Sequence, residues 1–317
     1  MKIVVLDGYA ANPGDLSWDE LAALGSLTVY DRTAAKEITA RIADAEIVFT
    51  NKTPLTAETL AQCSKLRFIG VLATGYNIVD VQKAKEQGVV VCNVPAYSTM
   101  SVAQMTFALL LELCSHVGEH SEAAKGRWVD SPDFSFQVAP LTEISGKTLG
   151  IIGFGRIGQA VGKIAAAFGM KVLASGSRPT EQGSAIAQYV TLDELWAQSD
   201  IISLHCPLLP QTEQIINKNT IAKMKDGVMI LNTGRGALVD EQALADALHS
   251  GKVAGAGLDV LKNEPPKKDC PLLTAPNCYI TPHIAWAPKE SRQRLMNVTV
   301  ENLRQFLAGT PVNVVDP

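Results

Sequence analysis

The 317-residue sequence contains no uninterrupted apolar stretch of the roughly 18 residues that a membrane span requires; the segment 106–113 includes Glu112 and stops at Cys114-Ser115-His116. Its opening, Met1-Lys2-Ile3-Val4-Val5-Leu6-Asp7, meets a carboxylate too soon for a signal peptide and reads as a first β-strand. A soluble, cytoplasmic protein is expected. Positive charge is also scarce. The 28 Lys and Arg residues are spread thinly against 32 Asp and Glu, a formal charge of -4, which excludes the clustered basic face of a nucleic-acid binder. The six cysteines, Cys63, Cys92, Cys114, Cys206, Cys270 and Cys278, have no C-x-x-C spacing. They read as buried free thiols, not as a metal site or a disulfide framework. There is no internal repeat, low-complexity tract or charged tail. What remains is a protein with a small-molecule partner.

A chain of this length exceeds what one hydrophobic core usually supports, so two domains with a cleft between them are expected. In the first hundred residues short β-rich runs (3–6, 27–30, 47–49, 68–72 and 89–92) alternate with helical patterns at 34–43 and 79–87, a βα series that implies a parallel sheet. An apolar helix is expected over 101–117. The stretch 118–145 has little periodicity and carries Trp128, Phe134 and Phe136, which suggests a wrap over the other domain or a subunit contact. A second series follows, with six strands at 148–152, 171–174, 201–204, 228–232, 256–260 and 279–281, matching a doubly wound dinucleotide domain. The last helix, 289–308, should return to the first domain. The predicted division is 1–99 with 289–317 as substrate domain and 100–288 as dinucleotide-binding domain.

The cofactor signal is Gly153-Phe154-Gly155-Arg156-Ile157-Gly158, placed between an apolar strand and a helix over 159–168 that Gly169 can cap. Its glycines permit the tight turn, admit the pyrophosphate to the backbone and bring helix close to strand. The acid expected about 20 residues later, to bind a ribose 2′-hydroxyl, is missing from Ser175-Gly176-Ser177-Arg178. A small hydroxylated loop with an arginine favours NADPH; the other reading, Arg178 as a solvated charge beside an NAD site, stays open. His205 follows a strand and reads as structural or cofactor-adjacent. Pro207 and Thr212 beyond it, and Thr233 and Gly234 ahead of Arg235, complete the expected cofactor lining.

Reducing a 2-keto acid needs a cation for the carboxylate and carbonyl, a proton donor for the oxygen, and a partner that keeps the donor protonated. Arg235, Glu264 and His283 each lie just past the carboxyl end of a predicted strand of one sheet, where open α/β sheets bind ligands. Singly, each has an ordinary alternative: a surface ion pair, a solvated acid, a satisfied polar residue. Their joint placement is what points to chemistry. His116, His120 and His249 sit on expected helices or their ends and read as surface or packing residues.

Together these pieces resemble one family along essentially the whole chain, the D-isomer-specific 2-hydroxyacid dehydrogenases. The resemblance is carried by Leu72-Ala73-Thr74-Gly75-Tyr76-Asn77, the glycine motif at 153–158, Leu231-Asn232-Thr233-Gly234-Arg235-Gly236, Gly257-Leu258-Asp259-Val260 through Glu264-Pro265, and Thr281-Pro282-His283. It implies a Rossmann nucleotide domain plus a smaller flavodoxin-like substrate domain, with hinge closure between them and a homodimer made through the nucleotide domains. It further implies that Arg235 binds the substrate, His283 is the acid/base and Glu264 keeps His283 protonated. By the same resemblance Asp259 attends the nicotinamide, and the backbone around Ala73, Thr74 and Gly75 receives the substrate carboxylate. His283-Ile284-Ala285-Trp286-Ala287 is most similar to the glycerate dehydrogenase/hydroxypyruvate reductase branch, and Trp286 is expected at the substrate. D-lactate, phosphoglycerate and other 2-keto acids stay open as substrates. A non-enzymatic alternative, a dinucleotide-sensing scaffold like the corepressors similar to this family, is disfavoured by the absence of a recognition module. A formate dehydrogenase is disfavoured by Glu264.

Overall fold

The computed structural model describes residues 1–176 and 178–316 and divides into two compact units, Met1–Ser98 with Ala287–Pro317, and Thr99–Trp286. In the first unit β1 (Lys2–Val5), β2 (Ser26–Val29), β3 (Ile47–Thr50), β4 (Phe68–Val71) and β5 (Val90–Cys92) form a parallel sheet of order β2-β1-β3-β4-β5. This is the flavodoxin-like order. Every residue of β3 and β4 is buried, as expected for central parallel strands covered on both faces, which read as continuous apolar runs.

The final helix, Lys289–Leu307, belongs to this unit. It buries Leu295, Met296, Val300 and Leu303 and sets the Phe306 ring 4.9 Å from that of Phe68. Arg292 on its first turns is buried, and its guanidinium binds both Asp15 oxygens at 2.6 and 2.7 Å. The arginine holds the Asp15 carboxyl below the usual carboxylate range. Beyond the helix, Val315 N–H donates to the Val91 carbonyl, so the chain ends against β5.

The second unit holds a seven-stranded parallel sheet: β6 (Thr148–Ile152), β7 (Lys171–Ser175), β8 (Gln188–Tyr189), β9 (Ile201–Leu204), β10 (Val228–Asn232), β11 (Val253–Leu258) and β12 (Cys278–Ile280). The order β12-β11-β10-β9-β6-β7-β8 is doubly wound, and its direction reverses between β6 and β9. Ligands of such sheets sit outside the carboxyl ends of the strands at that switch point.

The structure departs from the sequence expectation in several places. Among the described residues this sheet has seven strands, not six, because β8 has only two residues and leaves no periodic trace. The strand expected over 256–260 lies at Val253–Leu258. Gly255 and Gly257 interrupt its apolar run, and they are there because the helix Thr99–Ser115 crosses it closely: a Cβ on either would come within 2.6 Å of Leu113 or 2.8 Å of Leu109. The segment expected to be irregular contains a helix, Val117–Arg127. No residue of it is buried, so it has no apolar stripe for periodicity to detect. All six cysteines are free, four of them buried and Cys270 and Cys278 half-buried. Among the described residues no single helix is long and apolar enough to cross a membrane.

The crossing of helix and sheet is testable. In Gly257→Ala the new methyl meets the backbone-anchored Cβ of Leu109 at 2.8 Å and the Leu231 side chain at 3.0 Å, an overpacking expected to cost about 1–3 kcal/mol in urea unfolding. Gly126→Ala, on the exposed helix with nothing within 4 Å, is expected to cause no loss. Equal unfolding midpoints for the two variants would remove close packing as the reason for Gly257.

Candidate active site

Each glycine of the β6 turn does a different job. Gly153 has φ +90°, and a Cβ there would lie 2.4 Å from the Cys206 nitrogen, so the turns after β6 and β9 touch at the switch point. Gly158 would place a Cβ 2.4 Å from the Gly153 carbonyl, which sets the distance between helix and strand. At Gly155, the N-cap of the helix Arg156–Ala167, a Cβ would meet nothing within 4 Å, and no side chain caps the helix there. The space that a side chain would fill lies before a helix N-terminus whose first N–H groups lack intrahelical partners, the arrangement that receives a pyrophosphate. Arg156 is exposed on the first turn and Ile157 half-buried. These residues fit a dinucleotide. The helix starts at Arg156, three residues ahead of the sequence estimate.

Ser175, buried, ends β7, and Gly176 follows with φ +77°. No carboxylate stands at this strand end. Arg178 is exposed and pairs with no described acid; Ser177 lies outside the described residues. His205 follows β9, its N–H donating to the Ile152 carbonyl and its Nε2 lying 2.8 Å from the buried Ser203 hydroxyl. Part of the residue reaches the surface, but the ring is desolvated enough to be pushed down to about 4, so it is neutral near pH 7. The Thr212 hydroxyl donates to the Pro207 carbonyl at 2.6 Å and accepts Leu209 N–H, closing that loop on itself.

The three residues expected to carry the chemistry stand on the loops after β10, β11 and β12. His283 Nδ1 and Glu264 Oε2 are 2.6 Å apart, a charge-assisted distance. Glu264 Oε1 accepts Leu261 N–H at 3.2 Å, which turns the carboxylate toward the histidine. His283 has φ +54°, a left-handed conformation uncommon outside glycine. Asp259 enforces it. Its buried carboxylate accepts the Thr281 hydroxyl at 2.6 Å, Ile284 N–H at 2.9 Å and Ala285 N–H at 2.8 Å, while its carbonyl accepts His283 N–H at 2.8 Å. The side-chain bonds of Asp259, which the resemblance assigns to the nicotinamide side of the site, go to the histidine loop.

Arg235 is exposed, and its Nη1 donates to the neighbouring Gly234 carbonyl at 2.8 Å. Buried Asn232 shapes this loop by accepting Gly234 N–H and donating to the Arg235 carbonyl. Gly236 cannot carry a side chain, since a Cβ would sit 1.9 Å from the Leu261 carbonyl carbon. The arginine loop is thereby packed on the segment that leads into Glu264. Thr233 is buried, with its hydroxyl 3.1 Å from that of Thr106. Trp286 is half-buried at the end of this unit.

In the other unit, the loop after β4 carries Ala73, Thr74 and Gly75. Thr74 Oγ1 donates to the Val94 carbonyl at 2.8 Å, Asn93 Nδ2 to the Thr74 carbonyl at 2.7 Å, and Val94 N–H to the Ala73 carbonyl at 3.0 Å. Residues that sequence reasoning did not single out are Thr281, Asn232 and Ser203, which hold the Asp259 carboxylate, the Arg235 loop and the His205 ring. Nothing in a single sequence separates such a role from turn or cap chemistry.

A doubly wound sheet with a glycine turn shaped for a pyrophosphate, and an imidazole–carboxylate pair beyond its strand ends, defines a dinucleotide-dependent oxidoreductase. Residues 107–285 match the family described as D-isomer specific 2-hydroxyacid dehydrogenase, NAD binding domain. The chain belongs to that family. It is 60% identical to the hydroxypyruvate reductase of Blautia hydrogenotrophica over the whole of both chains. Among solved structures, an acyclic imino acid reductase in complex with NADPH and D-Arg is 35% identical with a TM-score of 0.85. The D-lactate dehydrogenase of Aquifex aeolicus with NAD and lactic acid is 31% identical with a TM-score of 0.86. Both alignments cover 100% of each chain.

Proposed function

We propose that this protein reduces hydroxypyruvate or glyoxylate to the corresponding 2-hydroxy acid, with Arg235, His283 and Glu264 as its working side chains. The observation that carries this reading is the 2.6 Å contact between His283 Nδ1 and Glu264 Oε2. When bound, the reduced nicotinamide supplies a hydride to the substrate's C2. The exposed guanidinium of Arg235 grips the substrate carboxylate and polarises the carbonyl. His283 gives the proton on Nε2 to the keto oxygen as that oxygen gains charge. It keeps the proton on Nδ1, which Glu264 Oε2 holds at 2.6 Å and which fixes the ring's orientation during transfer. In the reverse direction the neutral imidazole accepts the hydroxyl proton. The 60% identity to a hydroxypyruvate reductase supports the choice of substrate.

The cofactor end favours NADPH: no acid stands at Gly176 to repel a 2′-phosphate, and Arg178 is exposed beside it. The exposed segment 128–141 supports a homodimer. Val129 and Phe134 are 85% and 91% exposed, Trp128 and Leu141 about half, yet the segment is tied down by Trp128 Nε1 to the Phe134 carbonyl and Val138 N–H to His120 Nε2. An ordered apolar surface of this kind fits a second copy of the chain.

A panel of 2-keto acids assayed with NADPH and NADH tests the substrate reading, which fails if pyruvate or 3-phosphohydroxypyruvate is turned over better than both hydroxypyruvate and glyoxylate. Arg235→Lys keeps the charge but loses the planar fork, and kcat/KM is expected to fall about 10- to 100-fold. His283→Ala is expected to lose at least about 100-fold in turnover with cofactor affinity unchanged. Loss of cofactor affinity instead would make His283 a structural residue.

For the cofactor, Arg178→Ala is expected to weaken NADPH binding by up to about 5-fold with NADH unaffected, the scale of an exposed ion pair. Titration of intrinsic fluorescence measures both affinities; equal effects on the two would show that Arg178 does not read the 2′-phosphate. For the assembly, Phe134→Asp is expected to convert a dimer into a monomer in sedimentation. A wild-type chain that sediments as a monomer overturns the dimer.

A further inference from the structure

The loop that carries Glu264 has almost no packing of its own. From Lys262 to Asp269 every residue is exposed, and no helix or strand is formed; the nearest residues that are not exposed are Leu261 and Cys270. A loop of this kind samples many conformations, while a 2.6 Å contact between imidazole and carboxylate tolerates only small displacement. Something outside the loop must restrict it.

Glu241, on the first turn of the helix Glu241–His249, reaches both ends. Its Oε1 accepts Lys262 N–H at 2.8 Å, where the loop begins, and its Oε2 receives the Cys270 thiol at 3.7 Å, where it ends. The thiol is held in its protonated, donating form, because burial and then the Glu241 charge push the Cys270 thiol up. Glu241 is half-buried and is not the helix cap, a role filled by Asp240, whose side chain accepts Gln242 and Ala243 N–H. One carboxylate therefore meets both ends of the loop. The Gly236 backbone packs against Leu261 immediately before it.

We propose that Glu241 is a positioning residue for the acid–base pair: by clamping both ends of the 262–270 loop it keeps Glu264 on His283, without touching substrate or cofactor. This rests on the reading of His283 and Glu264 given above. The other ionisable groups on the elements that meet here are Asp259 on the residue after β11, Arg235 after β10, Asp240 beside the clamp, and Lys262, Lys267, Lys268 and Asp269 along the loop.

The test is the pH profile of hydroxypyruvate reduction in the full-length chain, with Glu264→Gln as reference. Glu264→Gln removes the anion 2.6 Å from the imidazole, and the alkaline loss of activity is expected to come at lower pH. Glu241→Ala is expected to move the profile in the same direction, lower kcat about 10-fold and leave cofactor affinity unchanged. Added to Glu264→Gln, it should produce no further shift. Glu241→Gln, whose amide oxygen still accepts Lys262 N–H, is expected to recover most of the wild-type profile. Should Glu241→Ala fail to fold, Glu241→Asp keeps the charge but is one methylene too short to span both ends, and a smaller shift in the same direction is expected. A wild-type pH profile in a folded Glu241→Ala or Glu241→Asp variant overturns the proposal. An unshifted Glu264→Gln profile instead overturns the acid–base reading itself.

Discussion

The geometry at His283 depends on one buried carboxylate. Asp259 is 1% exposed, an environment in which an unpaired charge would be very costly. It is satisfied by two main-chain N–H groups and a hydroxyl, all from the segment 281–285. That segment can supply them only if the chain turns sharply at His283, which accounts for the left-handed backbone of a non-glycine residue there. Satisfying Asp259 and aiming the imidazole at Glu264 are thus one conformational requirement.

The same logic of close approach organises the rest of the second unit. Gly153 lets the turn after β6 touch the turn after β9, and Gly236 lets the arginine loop rest on Leu261. In both cases a side chain is absent because backbone from another loop occupies its place. The turns after β6 and β9, and the loops after β10 and β11, are in this way fixed against each other by main-chain contacts, which lose less entropy on ordering than long side chains do. Gly155 is the exception that carries information about a ligand, since its missing side chain faces open space.

Much of this was legible in the sequence for definite reasons. Parallel strands buried on both faces produce apolar runs that stand out, so β6, β9 and β10 were placed to the residue. The glycine turn is a local consequence of its own chemistry, and Arg235, Glu264 and His283 could be singled out because each follows a strand end. Illegible were β8, too short for any period, and the helix Val117–Arg127, which has no buried face.

By itself the sequence determined which residue types stand at the ends of which strands, because strand and turn signals act over a few residues. That was enough for the fold class, the glycine turn and the three candidate side chains. Only the tertiary structure decided how those side chains are held. The pairing of His283 with Glu264, the commitment of Asp259 to the histidine loop, and the reach of Glu241 to Lys262 and Cys270 join residues 19 to 29 positions apart. Such contacts form where separate loops converge at one edge of a sheet, and no local pattern of hydrophobicity or propensity records which loops those will be.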